Sequence, residues 1–182
     1  MSERAIRKIK LLLFISVIAL AIAGCGARAA STPSSASKSQ EEKSYTKSDI
    51  KKLKNTDNFT ASALEHIFNG SVNSSGNASG YHYDMITDSD GRIIGNKSKP
   101  DTNGVYTAKV EVKGKAKSGN NGYSTFYPDK LSPQEVVDLI NEAYKEREPV
   151  TGNTYSGEAG GIIINMYLDD NKKIISAFPV MD

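Results

Sequence analysis

The strongest constraint on the fold is one amphipathic helix set among strand-like segments. Ser132 stands where an N-cap belongs, Pro133 takes the first helical position, and Glu135 follows three residues after the cap, as in a capping box. Val136, Val137, Ile140, Ala143 and Tyr144 recur at helical spacing and leave the opposite face polar. A helix is therefore predicted from Pro133 to Glu146, with one face committed to a sheet. Tyr106, Ala108, Val110 and Val112 alternate with Thr107, Lys109, Glu111 and Lys113, which predicts a half-buried strand whose lysines point to solvent. Gly160-Gly161 leads into Ile162–Leu168, Asp169-Asp170-Asn171-Lys172 turns the chain, and Lys173–Phe178 returns as the second arm of a hairpin. A helix segregated from several antiparallel strands makes the class α+β.

The chain before this domain has a different composition. Arg4, Arg7, Lys8 and Lys10 precede an apolar run, Leu11–Ala23, that ends in Ile22-Ala23-Gly24-Cys25. The run is too short for a comfortable membrane span and has the plan of an export signal with a lipobox. Residues 1–24 are expected to be a lipoprotein signal peptide, and Cys25, the only cysteine, the lipidated N-terminus of the mature chain. The rival reading is an uncleaved anchor. The expected location is the extracytoplasmic face of a membrane, held there by lipid on Cys25, and no disulfide can form within one chain. Residues 25–59 are rich in Ala, Ser, Lys and Glu without apolar periodicity, and are expected to be a disordered tether. Its lysine-rich part, Tyr45–Lys54, reads as solvated linker, with a fraying helix or a contact to anionic lipid as alternatives.

One domain remains, residues 60–182. It carries 12 basic and 16 acidic side chains, net −4, which excludes a protein that coats nucleic acid through a general basic face. Half of its cations, Lys97, Lys99, Lys109, Lys113, Lys115 and Lys117, nevertheless fall in one stretch and form a candidate local basic patch.

Both histidines of the chain lie between Leu64 and Asp84. Ser62 and Glu65 suggest a second capping box, and Leu64, Ile67 and Phe68 give one apolar stripe before Gly70 ends the helix, so His66 falls on its last turn. Residues 71–80 read as a Gly/Ser/Asn-rich loop ending in Gly80, and His82 follows two residues later. Two imidazoles with ordinary pKa values near ~6.5 can hold one neutral and one protonated member at neutral pH, the pair that a base and an acid require. A lone histidine at either position would be unremarkable; two, each within four residues of a glycine and with no other in the chain, are a candidate site.

Four segments in order, Glu65-His66-Ile67-Phe68-Asn69-Gly70, Gly80-Tyr81-His82, Ser124-Thr125-Phe126-Tyr127-Pro128 and Ile175-Ser176-Ala177-Phe178-Pro179, resemble the bacterial EndoU nuclease domain over about residues 60 to 182. The resemblance implies small antiparallel sheets with helices on one side, in an arrangement similar to RNase A. It implies RNA as substrate, cleavage next to uridine, a 2′,3′-cyclic phosphate product, and a His, His, Lys trio. His66 and His82 are the histidines; Lys117 is the favoured lysine, with Lys115 as runner-up and substrate contact. Which histidine is the base is open in the sequence, and the position after Gly80 favours His82. Ser176 and Phe178 occupy the positions that bond the uracil edge and stack on the base, and strand alternation puts them on one face. Many members carry tyrosine where this chain has Phe178, so a hydroxyl is lost; burial of Phe178 in the core is the competing reading.

RNA carries its own nucleophile in the 2′-OH, so a base, an acid and a cation suffice and DNA is not a substrate. No cofactor is required, and the need for a divalent metal such as manganese is left open. Two histidines without a cysteine cluster are too few ligands for a closed metal site, and no Gly-x-Ser-x-Gly elbow or phosphate loop is present. A toxin role with a cognate inhibitor protein fits the resemblance. The runner-up is a non-catalytic, surface-anchored binding lipoprotein.

Overall fold

The computed structural model describes residues 45–182. The signal, Cys25 and the first part of the expected tether lie outside the described residues. The remainder of that tether is folded, which corrects the expected boundary at residue 60. Tyr45 donates its N–H to the carbonyl of Met85 and accepts from the N–H of Thr87 (3.3 and 2.8 Å). A helical turn, α1 (Lys47–Ile50), then buries Ile50 in the main core. Phe59 is buried as well, and Asn58 and Thr60 bond both backbone groups of Ile174. Tyr45, Ile50, Leu53 and Phe59 show no periodicity because they dock one by one onto a surface built by later residues. Two lysines of this segment are engaged locally, Lys47 with Asp90 (2.5 Å) and Lys52 with Asp49 (3.0 Å).

Helix α2 (Ala63–Asn69) forms as expected, but without its capping box. Ser62 has helix-like dihedrals (φ −100°, ψ −7°), so its hydroxyl does not reach the first-turn amides, and Glu65 accepts from the Asn69 amide instead (2.9 Å). The expected loop 71–80 is a miniature hairpin of β1 (Ser71–Val72) and β2 (Ala78–Ser79). Asn73 makes its turn by accepting the N–H groups of Ser75 and Asn77 (3.0 and 2.9 Å).

The middle of the chain forms one antiparallel sheet, in which β3 (Gly91–Ile93), β4 (Tyr106–Val112) and β5 (Lys115–Ala116) are neighbours and β6 (Tyr123–Phe126) pairs with the first half of β4. Its alternating buried residues, Tyr106, Ala108, Val110 and Val112, join Tyr81 and Phe126 in a small core where the Tyr106 and Phe126 rings stack at 5.0 Å.

Helix α3 (Pro133–Lys145) has the predicted box, with the Ser132 hydroxyl and the Glu135 carboxylate satisfying each other's backbone. The four strands after it, β7 (Glu148–Thr151), β8 (Thr154–Ala159), β9 (Ile162–Leu168) and β10 (Ile174–Pro179), form an antiparallel meander in chain order. Helices α2 and α3 cover its inner face, over Ile164, Met166, Leu168 and Ile174. The approach is close: a Cβ on Gly157 of β8 would lie 2.0 Å from the Ala143 carbonyl oxygen. The other face of β9 and β10 borders a cleft toward β6 and the short strands, and the sequence motifs converge there.

Candidate active site

Both histidine-bearing segments are fixed by backbone bonds before any side chain acts. The carbonyl of His66 accepts the N–H groups of Gly70 and Tyr81 (3.2 and 3.0 Å), and the carbonyl of Ile67 accepts that of His82 (2.7 Å). On its other side, the carbonyl of His82 accepts the N–H of Tyr127, just past β6 (2.9 Å). His82 thus sits in irregular chain yet is pinned between the end of α2 and the end of β6. Gly80 makes this possible: it has φ +75°, and a Cβ there would lie 2.2 Å from the His66 carbonyl oxygen. Tyr81 pays for the same turn with φ +60°, a left-handed conformation costly outside glycine, held by its buried ring and by a 2.6 Å bond from its hydroxyl to Asp84.

The imidazoles are also oriented. His82 Nδ1 lies 2.8 Å from the Thr125 carbonyl oxygen, which can only accept, so Nδ1 carries the proton and Nε2 of the neutral ring keeps its lone pair. His66 Nδ1 is hydrogen-bonded to the Ser71 hydroxyl at 2.8 Å, which explains why a folded hairpin follows α2. Lys117 donates to the Ser124 hydroxyl (2.9 Å), and that hydroxyl, only 1 % exposed as a residue, donates to the carbonyl of Gly80 (2.8 Å). Residues 124 and 125 of β6 therefore hold the lysine, the glycine before His82, and the ring of His82. In the sequence they are a polar pair before Phe126 with no evident role, because their contacts are long-range.

A cavity of about 640 Å³ is lined by His66, His82, Lys117, Ser176 and Phe178, with Asn165 and Tyr167 of β9 beside them. Ser176 is buried and Phe178 half-buried, and the Phe178 ring stacks on His82 (5.4 Å, 23°). Lys115 is exposed and lies outside this lining. The lysine-rich stretch is no single patch: Lys97 is bound by Asp84 and Asp129 (2.9 and 3.0 Å), Lys113 faces Asp90 (3.5 Å), and Lys109 lies over the Tyr123 ring. Among the described residues no three His, Cys, Asp or Glu side chains are grouped to hold a metal.

The family model described as Bacterial EndoU nuclease matches residues 60–181. The chain belongs to the bacterial EndoU nuclease family. A Bacillus cereus protein named Toxin is 48% identical over 132 residues, which are 71% of this chain and 24% of that protein. The chain thus spans about a quarter of the length of the relative it matches.

In this EndoU domain burial sets the protonation states. Desolvation, and then the charge of Lys117, push His82 down to about 3 from its ordinary 6.5. The same two causes lower His66, and burial lowers Lys117. Burial thus favours two neutral imidazoles beside one cation.

Proposed function

We propose that the domain is an endoribonuclease that cleaves single-stranded RNA next to uridine. Support comes above all from one observation: His66, His82 and Lys117 line one cavity, and His82 presents an unprotonated Nε2 there. In this reading His82 Nε2 takes the proton of the 2′-OH, the 2′ oxygen forms its bond to phosphorus, and the bond from phosphorus to the 5′ oxygen breaks. His66, protonated once the phosphodiester is bound, donates a proton to the departing 5′ oxygen. Its Nδ1–H then points to Ser71 and Nε2–H to the substrate. Lys117 offsets the charge on the non-bridging oxygens, and the products are a 2′,3′-cyclic phosphate and a 5′-hydroxyl. No group outside the RNA and the protein is needed for the balance.

The uridine preference is assigned to Ser176 and Phe178. No bond from the Ser176 hydroxyl to protein is found among the described residues, which leaves it available for a base edge, and Phe178 shares its strand face. We further propose that the chain acts as a toxin with a cognate inhibitor protein, in line with the name of its Bacillus cereus relative, and that it is exported and held on the membrane by lipid on Cys25, with residues 26–44 as the tether. The test is cleavage of a uridine-containing oligonucleotide, with the new ends mapped. Cleavage lost on changing either histidine supports the assignment; binding without cleavage supports the non-catalytic lipoprotein.

A further inference from the structure

The cavity lining does not end at β10. On β9, Ile163, Asn165 and Tyr167 alternate with the buried Ile162, Ile164, Met166 and Leu168, and so face away from α3. The register sets Asn165 opposite Phe178 and Tyr167 opposite Ser176. Phe178 and Tyr167 are therefore diagonal neighbours on one face, with centroids 5.8 Å apart and planes at 44°. Tyr167 is 40 % exposed, whereas Tyr81, Tyr83, Tyr106 and Tyr127 are at most 2 % exposed. No hydrogen bond of the Tyr167 hydroxyl or the Asn165 amide is found among the described residues. One face of Phe178 already lies against His82. Two open aromatic surfaces line the cavity, Tyr123 and Tyr167; Lys109 lies over the Tyr123 ring, and Tyr167 is the one that shares a sheet face with Phe178.

We propose that Tyr167 is a second nucleobase platform, on which the base flanking the one held at Ser176 and Phe178 stacks. The proposal rests on the RNA reading of the cavity, and it defines the ligand as a single strand of at least two nucleotides. Aromatic rings on neighbouring strands of one sheet are a recurrent way to hold successive unpaired bases, and stacking tolerates any base because each has a π-face. Neighbouring Asn165 brings both donors and an acceptor without charge. The phosphate charge is met at the other wall, by Lys117. Glu158, across from Ile163 on β8, places a negative charge at the far end of the same face.

The test is a double-mutant cycle on binding, using an RNA oligonucleotide made uncleavable by a single 2′-deoxyuridine, with the base 5′ or 3′ of it either adenine or abasic. Stacking on an aromatic side chain is lost as roughly tenfold in Kd. Wild type is expected to lose about that factor when one flanking base is removed, and Tyr167→Ala to lose it with the base present. The two losses do not add: removing ring and base together costs no more than removing either. Tyr167→Trp, which restores a ring, restores the dependence on the base. Additive losses on both flanks, or no loss on Tyr167→Ala, overturn the platform while leaving the RNA reading intact. Non-additive losses, with no cleavage of the all-ribose strand, would instead retain the platform and remove the nuclease. Failure of wild type to bind any of these strands overturns both.

Discussion

A buried neutral imidazole has a cost that pH reveals. His82 is held near 3 in the folded chain and returns to its ordinary 6.5 when unfolded. Between those values the unfolded chain binds one more proton at this site, so stability rises with pH across the window and falls as pH drops through it. The slope for one proton is about 1.4 kcal/mol per pH unit. The unfolded imidazole is half protonated at pH 6.5, so lowering pH from 6.5 to 5 should remove about 1.5 kcal/mol through His82 alone, a sizeable share of the ~5–15 kcal/mol that domains possess. His66, also lowered by burial, adds to the loss. The control is His82→Asn, whose amide can donate to Thr125 as Nδ1–H does but does not titrate. Urea unfolding at the two pH values, followed by far-UV circular dichroism because the chain has no tryptophan, gives the difference. The variant is expected to lose about 1.5 kcal/mol less than wild type over this interval, the carboxylates common to both cancelling. Equal pH dependence in the two proteins would refute a buried, neutral His82.

Further expectations concern the groups around it. Ser124→Ala removes the acceptor of Lys117 and the donor to Gly80 together; it should cost about 1–3 kcal/mol of stability by the usual penalty for stranded buried polar groups, read from urea unfolding. Lys117→Met should lower kcat by at least about a hundredfold, the scale of losing one charge-stabilising group, while Lys115→Met changes it less than about twofold, both read in single-turnover cleavage. Cys25→Ala should release the chain from the membrane fraction or leave an unprocessed precursor, seen by fractionation and gel mobility; an unchanged pattern would contradict lipidation.

Much of the frame was legible in the sequence because it is written in local periodicity. The box at Ser132 and Glu135, the alternation of β4 and the hairpin of β9 and β10 each depend on neighbours within a few residues. Segments whose partners are distant were not legible. Tyr45–Phe59 has the composition of a linker, and α2, β10 and the chain near Met85, all later in the sequence, give its few apolar residues somewhere to go. Strands β7 and β8 were missed because Pro149, Gly152 and Gly157 interrupt any alternation, yet Gly157 is there so that α3 can approach. At the site, the two histidines were found by their scarcity and Lys117 by its place among lysines. Ser71, Ser124 and Thr125 went unassigned because a serine or a backbone carbonyl has no signature until the fold brings an imidazole or an ammonium to it.

The central claim is that the substrate's own 2′-OH is the nucleophile, activated by His82. The most direct measurement compares one oligonucleotide carrying a single uridine with the same strand carrying 2′-deoxyuridine there, with ends mapped by mass spectrometry. The account predicts a 2′,3′-cyclic phosphate and a 5′-hydroxyl from the first and no cleavage of the second. Cleavage of both at similar rates, or a product ending in 3′-hydroxyl and 5′-phosphate, would contradict it.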